Sequence, residues 1–240
     1  MAKRNQQKKP QISRQRRTIL KPKTRNQENY MDFINRSDVT FCSGPAGSGK
    51  TSVSVGMACE YLIEKKIDRI IITRPVVESG RGLGHLPGTL VEKINPYLIP
   101  ILEEMNKYLT KATVEMYRKK NIIELCPLEY MRGRNFHGCF MILDEAQNAT
   151  FEQIKMFITR IGQDSKAVIN GDLRQSDLGA QQGGLYTCMR KLAEIPKVGV
   201  CKLDYEDIVR SDIISKILRQ LNKKEDEAEE KNGGDPVKYF

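Results

Sequence analysis

A glycine-rich stretch of eight residues, positions 44–51, has the composition of a phosphate-binding site. Its sequence GPAGSGKT fits the pattern G-x-x-x-x-G-K-S/T, and it lies between an apolar strand candidate and a helix candidate, as that pattern requires. The glycines allow backbone N–H groups to turn toward phosphate oxygens. Lys50 is expected to reach the β- and γ-phosphates of a nucleoside triphosphate, and Thr51 to offer its hydroxyl to Mg²⁺. The alternative is a tight glycine turn that binds no ligand. We instead predict a nucleotide-binding loop, with contacts from Gly44, Pro45, Ala46, Gly47, Ser48, Gly49, Lys50 and Thr51.

Two adjacent carboxylates, Asp144 and Glu145, follow the apolar residues 140–143. Ligands bind at the carboxyl edge of a parallel sheet, where a strand ending at residue 143 would deliver both acids. Asp144 is expected to hold Mg²⁺ through water, and Glu145 to orient or deprotonate the attacking water. An acidic helix start would explain this run equally well on its own. Together with the phosphate-binding loop, the pair favours hydrolysis, because a kinase would not need Glu145.

Other polar residues could complete such a site. Gln175 follows a strand candidate at 166–170, and it could contact the γ-phosphate or belong to an ordinary polar loop. Arg132, Arg134 and Arg210 are candidates for stabilising charge on the γ-phosphate of a neighbouring site. Surface arginines are common, however, so the positions of these three do not distinguish catalysis from simple exposure.

The elements that must position these residues alternate along the chain. Strand candidates lie at 39–42, 69–73, 122–125, 139–143, 166–170 and 198–203. Helix candidates lie at 50–64, 94–117 with interruptions near Pro100 and Thr110, 151–161, 185–195 and 208–221. This alternation predicts an α/β fold, with a parallel sheet covered by helices on both faces.

The distribution of charge divides the chain of 240 residues into a core and two tails. The net charge of the chain is +10, and ten of its 40 lysines and arginines lie within residues 1–25, which contain no acidic residue. The rest of the chain is therefore formally neutral. Such a segment cannot bury enough apolar surface to fold alone. We therefore predict a disordered basic arm at 1–25, one folded domain at 26–222, and a disordered charged tail at 223–240. The arm could contact nucleic-acid phosphates or serve only as a solubilising tail.

Cysteine usage and hydropathy argue against a zinc protein, a membrane-spanning protein and a secreted protein. The six cysteines include no Cys-x-x-Cys pair, so we expect buried, reduced thiols rather than a zinc site. No apolar run approaches the roughly 18 residues of a membrane span, and the basic N-terminus lacks the apolar stretch of a secretory signal. We expect a cytoplasmic protein without membrane contact.

Several blocks of this sequence, in their order, resemble the PhoH family of phosphate-starvation-inducible ATPases. The resemblance runs from Asn26 to Leu221 and begins with Asn26 and Gln27 ahead of the first strand candidate. The other blocks are residues 44–51, 73–78 (TRPVVE), 83–88 (LGHLPG), 96–97, 130–134 (YMRGR), 142–148 (ILDEAQN), 155–160 (KMFITR), 171–175 (GDLRQ) and 206–210 (EDIVR). His85 stands where the family leads us to expect an apolar aromatic residue.

The resemblance implies a P-loop NTPase with a RecA-like core related to superfamily 1 helicases. By this likeness Gln27 recognises adenine, so that the nucleotide is ATP, and Asp144 with Glu145 forms the helicase acidic pair. Gln175 is implied to sense the γ-phosphate and Arg210 to act as an arginine finger. Thr73 and Arg74 fall where such helicases contact the nucleic-acid strand.

A helicase of that superfamily closes two RecA-like lobes around one ATP, whereas residues 26–221 provide one lobe. We therefore expect a homo-oligomer, a hexameric ring, with Arg210 or the pair Arg132 and Arg134 near the shared interface. The predicted activity is an Mg²⁺-dependent ATPase coupled to single-stranded RNA or DNA. Aromatic residues are only 7% of the chain and tryptophan is absent, so a row of stacking platforms is not evident. An ATP-driven switch or assembly protein remains the alternative, while Glu145 and Gln175 disfavour a small-molecule kinase.

Overall fold

The computed structural model describes residues 18–75, 90–173, 184–209 and 220. Its six strands, all parallel to their neighbours, form one sheet in the order β3-β2-β4-β5-β1-β6. The strands are β1 (Val39–Ser43), β2 (Arg69–Thr73), β3 (Ile123–Leu125), β4 (Cys139–Leu143), β5 (Lys166–Gly171) and β6 (Val198–Lys202). The helices of the described residues are α1 (Arg25–Arg36), α2 (Lys50–Ile63), α3 (Leu90–Met105), α4 (Lys111–Lys119), α5 (Phe151–Ile158) and α6 (Leu185–Leu192). Short 3₁₀ turns lie at Leu128–Met131, Ala146–Asn148 and Tyr205–Asp207.

Both faces of the sheet are covered, as the alternation of strands and helices predicts. Successive strand residues point to opposite faces, so Ile70 and Ile72 join one apolar core while Ile71 joins the other. Residues of α1, α2, α3 and α4 line the first core, and residues of α5 and α6 line the second. The central strand β4 is apolar throughout because neither of its faces meets water.

Several helices differ from the sequence-based expectation, and α6 ends at Leu192 rather than at 195. Helix α1 is an addition, since no helix was predicted ahead of β1. Pro100 does not interrupt α3, although an interior proline costs about 3 kcal/mol. Leu98, Ile101 and Met105 are buried on one face of that helix and offset this cost. Helix α5 ends at Ile158 rather than at 161, because Ile161 instead forms a β-bridge with Phe136. The predicted last helix, 208–221, lies mostly outside the described residues.

The folded domain begins earlier than predicted. Leu20 is buried in the first core, and its backbone N–H donates to Glu60 Oε1 at 2.9 Å. Thr24 caps α1 by accepting a hydrogen bond from the backbone N–H of Gln27. Residues 18–25 are therefore part of the domain, and the predicted boundary of the arm at residue 25 is wrong. Residues 1–17 and the predicted tail at 223–240 lie outside the description.

Two further expectations concern cysteines and membranes. The six cysteines are free and buried, as expected. Across the described part of the chain, no helix combines the length and the apolar character that crossing a bilayer requires.

Candidate active site

The phosphate-binding loop connects β1 to α2, as the sequence predicts. Two of its glycines are required by geometry. Gly49 has a φ of 98°, and a Cβ there would lie 2.6 Å from Nε2 of Gln27. A Cβ on Gly44 would lie 2.6 Å from the backbone oxygen of Leu203. Helix α2 begins at Lys50, so its first N–H groups and its dipole point toward the loop.

The Lys50 ammonium lies within the loop. It donates to the backbone oxygens of Gly44 at 2.5 Å and Pro45 at 2.9 Å. The Ser48 hydroxyl also donates to the Pro45 oxygen at 2.9 Å. Phosphate oxygens are stronger partners for an ammonium than neutral carbonyls, so a nucleotide would draw Lys50 away from these two carbonyls.

The acidic pair follows β4 and meets the loop. One strand, β5, separates β4 from β1 in the sheet. Asp144 is only 1% exposed, and its Oδ1 accepts a hydrogen bond from Thr51 Oγ1 at 3.0 Å. The Glu145 side chain is 43% exposed, and its backbone has a φ of 56°. The structure thus brings Lys50, Thr51 and the two carboxylates to one edge of the sheet.

The oxygens of Thr51 and Asp144 fit a magnesium ion that arrives with nucleotide. Hydroxyl and carboxylate oxygens are suitable ligands for Mg²⁺, which usually keeps one or two protein carboxylates and takes the rest of its shell from phosphates and water. In the described ranges, no group of three or more His, Cys, Asp or Glu side chains could hold a metal ion alone. A metal here would therefore depend on the phosphates as well as on the protein.

Gln147 connects the acidic pair to the end of β5. Its Nε2 donates to Glu145 Oε2 at 2.7 Å, and its Oε1 accepts from the backbone N–H of Asp172 at 3.0 Å. The side chain is nearly buried, so both contacts are shielded from water. Sequence reasoning included Gln147 in a family block but gave it no role. The predicted γ-phosphate sensor, Gln175, lies outside the described residues.

Gln27 contacts the loop from α1. Its Oε1 accepts from the backbone N–H of Lys23 and its Nε2 donates to the Ser48 oxygen, both at 2.9 Å. These two contacts fix which end of the amide is oxygen. Among the described residues, the second N–H of the Gln27 amide and the second lone pair of its oxygen make no further hydrogen bond. The N6 and N7 edge of adenine requires one acceptor and one donor, and the role of Gln27 in recognising adenine stays a prediction.

A buried carboxylate, Asp207, joins the start of α1 to the turn at Tyr205–Asp207. It accepts hydrogen bonds from the Thr24 hydroxyl, from Asn26 Nδ2 at 3.0 Å, and from the backbone N–H of Asp204 at 2.8 Å. Asp207 therefore connects the helix that carries Gln27 to the segment that leads to Arg210. Arg210 itself, the predicted arginine finger, lies outside the described residues.

A second buried network supports the first turn of α2. Tyr30 donates to Asn170 Oδ1 at 2.5 Å, Asn170 Nδ2 donates to Ser54 Oγ at 2.8 Å, and Ser54 Oγ donates to the Thr51 backbone oxygen at 3.1 Å. Burial raises the pKa of Tyr30 well above its ordinary value, so its hydroxyl remains a neutral donor. This chain of contacts connects α1, β5 and α2 directly beneath Thr51.

The predicted strand-contact residues have different surroundings from those expected. Thr73 is fully buried, and within the described residues its hydroxyl has no hydrogen-bond partner. Its side chain is therefore not available to a nucleic-acid strand in this conformation, and that prediction is wrong for Thr73. Arg74 lies in the site itself, with one guanidinium nitrogen 2.7 Å from Asp144 Oδ2 and 3.5 Å from Glu145 Oε1.

Arg132 and Arg134 lie away from the loop. Arg134 pairs with Glu124 on the edge strand β3, and three strands separate β3 from β1. Its guanidinium also lies over the ring of Phe136, 4.6 Å from the centroid. Burial opposes ionisation of Glu124, but the hydrogen bond and charge of Arg134 hold the pKa of that carboxyl below its usual value. Arg132 is exposed.

Comparison with known proteins agrees with the motifs. The family model for PhoH-like proteins matches residues 19–222. A PhoH-like protein of Mycobacterium tuberculosis is 43% identical over 208 residues, covering 86% of this chain and 59% of the relative. A PhoH-like protein of Bacillus subtilis is 42% identical over 205 residues, covering 85% of this chain and 64% of the relative. The chain thus spans less than two thirds of the length of either relative.

A solved structure supports the fold. The large terminase from a thermophilic bacteriophage aligns with a TM-score of 0.54 and 14% identity, covering 84% of this chain and 50% of the terminase. At this identity the likeness concerns the fold alone. Together with the parallel sheet and the loop between β1 and α2, it confirms a RecA-like P-loop NTPase fold.

Proposed function

The chain belongs to the PhoH family, and from that premise we propose that it binds ATP with Mg²⁺ and hydrolyses it in a cycle coupled to single-stranded RNA or DNA. One observation carries the proposal: the 3.0 Å contact between Thr51 Oγ1 and Asp144 Oδ1. This contact joins the phosphate-binding loop to the acidic pair. A site that both binds a nucleotide and hydrolyses it needs these two parts together.

Binding begins with the base and the phosphates. The Gln27 amide contacts Lys23 and Ser48 with one acceptor site and one N–H. Its second N–H and its second lone pair form hydrogen bonds with the adenine edge. The backbone N–H groups of the loop and the start of α2 bind the phosphate oxygens. Lys50 exchanges its two carbonyl partners for β- and γ-phosphate oxygens. Thr51 and Asp144 would hold Mg²⁺, which would supply positive charge at those oxygens.

Hydrolysis then requires an activated water. Glu145 accepts a proton from the water as its oxygen attacks the γ-phosphorus, and the bond from that phosphorus to the β-γ bridging oxygen breaks. The products are ADP and inorganic phosphate. The half-exposed Glu145 carboxylate can reach a water on the open side of the site, while Gln147 holds its other oxygen. Gln175 is proposed to contact the γ-phosphate and to respond to its loss.

Coupling to nucleic acid and assembly into a ring are further parts of the proposal. They rest on the family likeness and on the basic residues 1–17, where seven of the ten arm lysines and arginines lie. Arg210 is proposed to stabilise the γ-phosphate of a neighbouring subunit. An ATP-driven switch that does not act on nucleic acid remains the second candidate, because its nucleotide site would be the same.

The variant Glu145→Gln tests the hydrolytic assignment. Loss of a positioned base typically costs 10²- to 10⁴-fold in rate, so we expect ATP turnover to fall by at least about 100-fold. Affinity for ATP should stay near the wild-type value, because Glu145 is not expected to hold the nucleotide. Steady-state turnover and binding of a fluorescent ATP analogue measure the two quantities. Lys50→Ala should instead lose binding, and full activity of Glu145→Gln would contradict the catalytic assignment.

The same assay with single-stranded RNA and DNA tests the coupling. The matched variant lacks residues 1–17 and keeps 18–25, because Leu20 and Thr24 contribute to the fold. We expect nucleic acid to increase ATP turnover, and removal of 1–17 to weaken strand binding and flatten its salt dependence. If neither RNA nor DNA changes ATP turnover, the result would favour the ATP-driven switch.

A further inference from the structure

Arg74 occupies a position that the proposed reaction does not explain. It follows β2 directly, and β2 pairs with β4 so that Thr73 lies beside Leu143. The backbone N–H of Asp144 donates to the Thr73 oxygen at 3.0 Å, which continues the register by one step. The strand pairing itself therefore places Arg74 beside the acidic pair, independently of any loop.

Arg74 contacts the oxygen of the Asp144 carboxylate that Thr51 does not contact. Asp144 Oδ1 accepts from the Thr51 hydroxyl, and Oδ2 accepts from the Arg74 guanidinium at 2.7 Å. Asp144 is 1% exposed and the Arg74 side chain 19% exposed, so water screens the pair only weakly. A buried carboxylate without a counter-charge is strongly disfavoured. Arg74 supplies this counter-charge, and it also reaches Glu145 Oε1 at 3.5 Å.

A magnesium ion held by Thr51 and Asp144 would use the same carboxylate. Its two positive charges would lie near the guanidinium, and like charges at such short range repel strongly at low effective dielectric. Mg²⁺ and the Arg74 guanidinium would therefore stabilise the same buried carboxylate, that of Asp144, and binding of either cation would weaken the binding of the other.

We propose that Arg74 is the internal counter-ion of the acidic pair and competes with Mg²⁺ for Asp144, so that binding of the metal with nucleotide displaces Arg74 from both carboxylates. This inference rests on the proposed function. Displacement frees Glu145 to bind the attacking water only when metal and nucleotide are both present. Because Arg74 directly follows β2, its release also transmits binding of the metal to the end of that strand. Arg74 is thus a positioning residue rather than a catalytic one.

The first test compares unfolding with and without ligand in the variant Arg74→Gln. The matched control is Arg69→Gln, which breaks the ion pair of Arg69 with Glu124 at the other end of the same strand. Without metal and nucleotide, both variants should unfold at lower temperature than wild type. With saturating Mg²⁺ and ADP, Arg74→Gln should recover most of its loss, because the metal replaces the missing charge. Arg69→Gln should keep its deficit, since its pair does not depend on ligand.

The second test measures the metal requirement for nucleotide binding. Binding of a fluorescent ADP analogue is titrated with Mg²⁺ at fixed nucleotide concentration. Loss of one charge-assisted hydrogen bond should lower the half-saturating Mg²⁺ concentration of Arg74→Gln by about tenfold. Arg74→Lys keeps a charge without the planar fork, so its half-saturating concentration should lie between those of wild type and Arg74→Gln. Arg69→Gln should match wild type.

Four outcomes count against the inference. An unchanged or increased Mg²⁺ requirement in Arg74→Gln would show that Arg74 cooperates with the metal, and it would overturn the competition. An equal thermal deficit with and without ligand would do the same. If Arg74→Gln does not fold, a Mg²⁺ requirement of Arg74→Lys equal to or above that of wild type overturns it. A wild-type protein that fails to bind Mg²⁺ and ADP at all refutes the proposed function, and the inference with it.

Discussion

At the residue scale, Gln27 is the residue that we predict to select the base of the nucleotide. Its amide is oriented by Lys23 and Ser48. Its remaining donor and acceptor would match the N7 acceptor and N6 donor of adenine, whereas the same edge of guanine carries two acceptors, O6 and N7. We expect Gln27→Ala to raise the KM for ATP by about tenfold or more, on the scale of one or two lost hydrogen bonds, and to leave the KM for GTP nearly unchanged. Steady-state hydrolysis of both nucleotides measures the ratio.

The control for this prediction is Asn29→Ala, an exposed residue of the same helix. It should leave both KM values at the wild-type level. If Gln27→Ala weakens ATP and GTP equally, Gln27 supports the loop through its contact with Ser48 and does not select the base.

Sequence patterns identified the main candidate site residues but not the side-chain contacts that position them. Lys50, Thr51 and Asp144 belong to short motifs whose spacing reflects one loop and one strand end, so they could be predicted locally. Gln147 and Arg74 act through contacts between different strands, at sequence separations of 25 and 70 residues. A single sequence gives no signal for such pairs, because they follow from the strand order in the folded sheet.

At the element scale, the strands could be predicted from local sequence, whereas several helices depend on packing that the sequence does not show. The six predicted strands are present with small shifts at their ends, because each contains apolar residues that are buried in the sheet. Helix α1 was missed: its residues are polar on average, and only Tyr30 and Ile34 are buried apolar side chains. Helix α3 was predicted to be interrupted at Pro100 because the local cost of proline is visible in the sequence, whereas the packing that offsets this cost is not.

The junction between α1 and the turn at Tyr205–Asp207 depends on Asp207. The change Asp207→Ala would leave three donors without their acceptor, from Thr24, Asn26 and Asp204. Hydrogen bonds to a charged group contribute about 1.5–3 kcal/mol, so we expect the free energy of unfolding to fall by at least about 2 kcal/mol. The KM for ATP should also rise, because α1 carries Gln27. Urea denaturation and steady-state kinetics measure these effects.

Asp38→Ala provides the matched control for Asp207. The Asp38 carboxylate forms an exposed ion pair with Lys197 at 3.6 Å. Exposed pairs contribute at most about 1 kcal/mol, so this variant should resemble wild type in both assays. A stability loss for Asp207→Ala no larger than that of Asp38→Ala would show that water satisfies the three donors.

At the scale of the whole molecule, the site lies at the open edge of one parallel sheet. Glu145 is 43% exposed although its neighbour Asp144 is buried, so the side of the site where water would attack faces outward. A neighbouring subunit placed there could exclude bulk water and contribute an arginine to the γ-phosphate. This geometry suits the predicted ring, whose existence remains a prediction.

Mixing two inactive variants tests whether Arg210 acts across subunits. Lys50→Ala removes phosphate binding from its own site but keeps Arg210, whereas Arg210→Ala keeps Lys50 and loses the arginine. In a ring, an Arg210→Ala subunit beside a Lys50→Ala subunit would receive Arg210 from its neighbour and hydrolyse ATP. We expect each variant alone to be nearly inactive and an equimolar mixture, exchanged under mild denaturant, to recover a substantial fraction of wild-type turnover. Because an arginine that acts within its own subunit cannot be shared, a mixture as inactive as its components would place Arg210 in cis or outside the reaction.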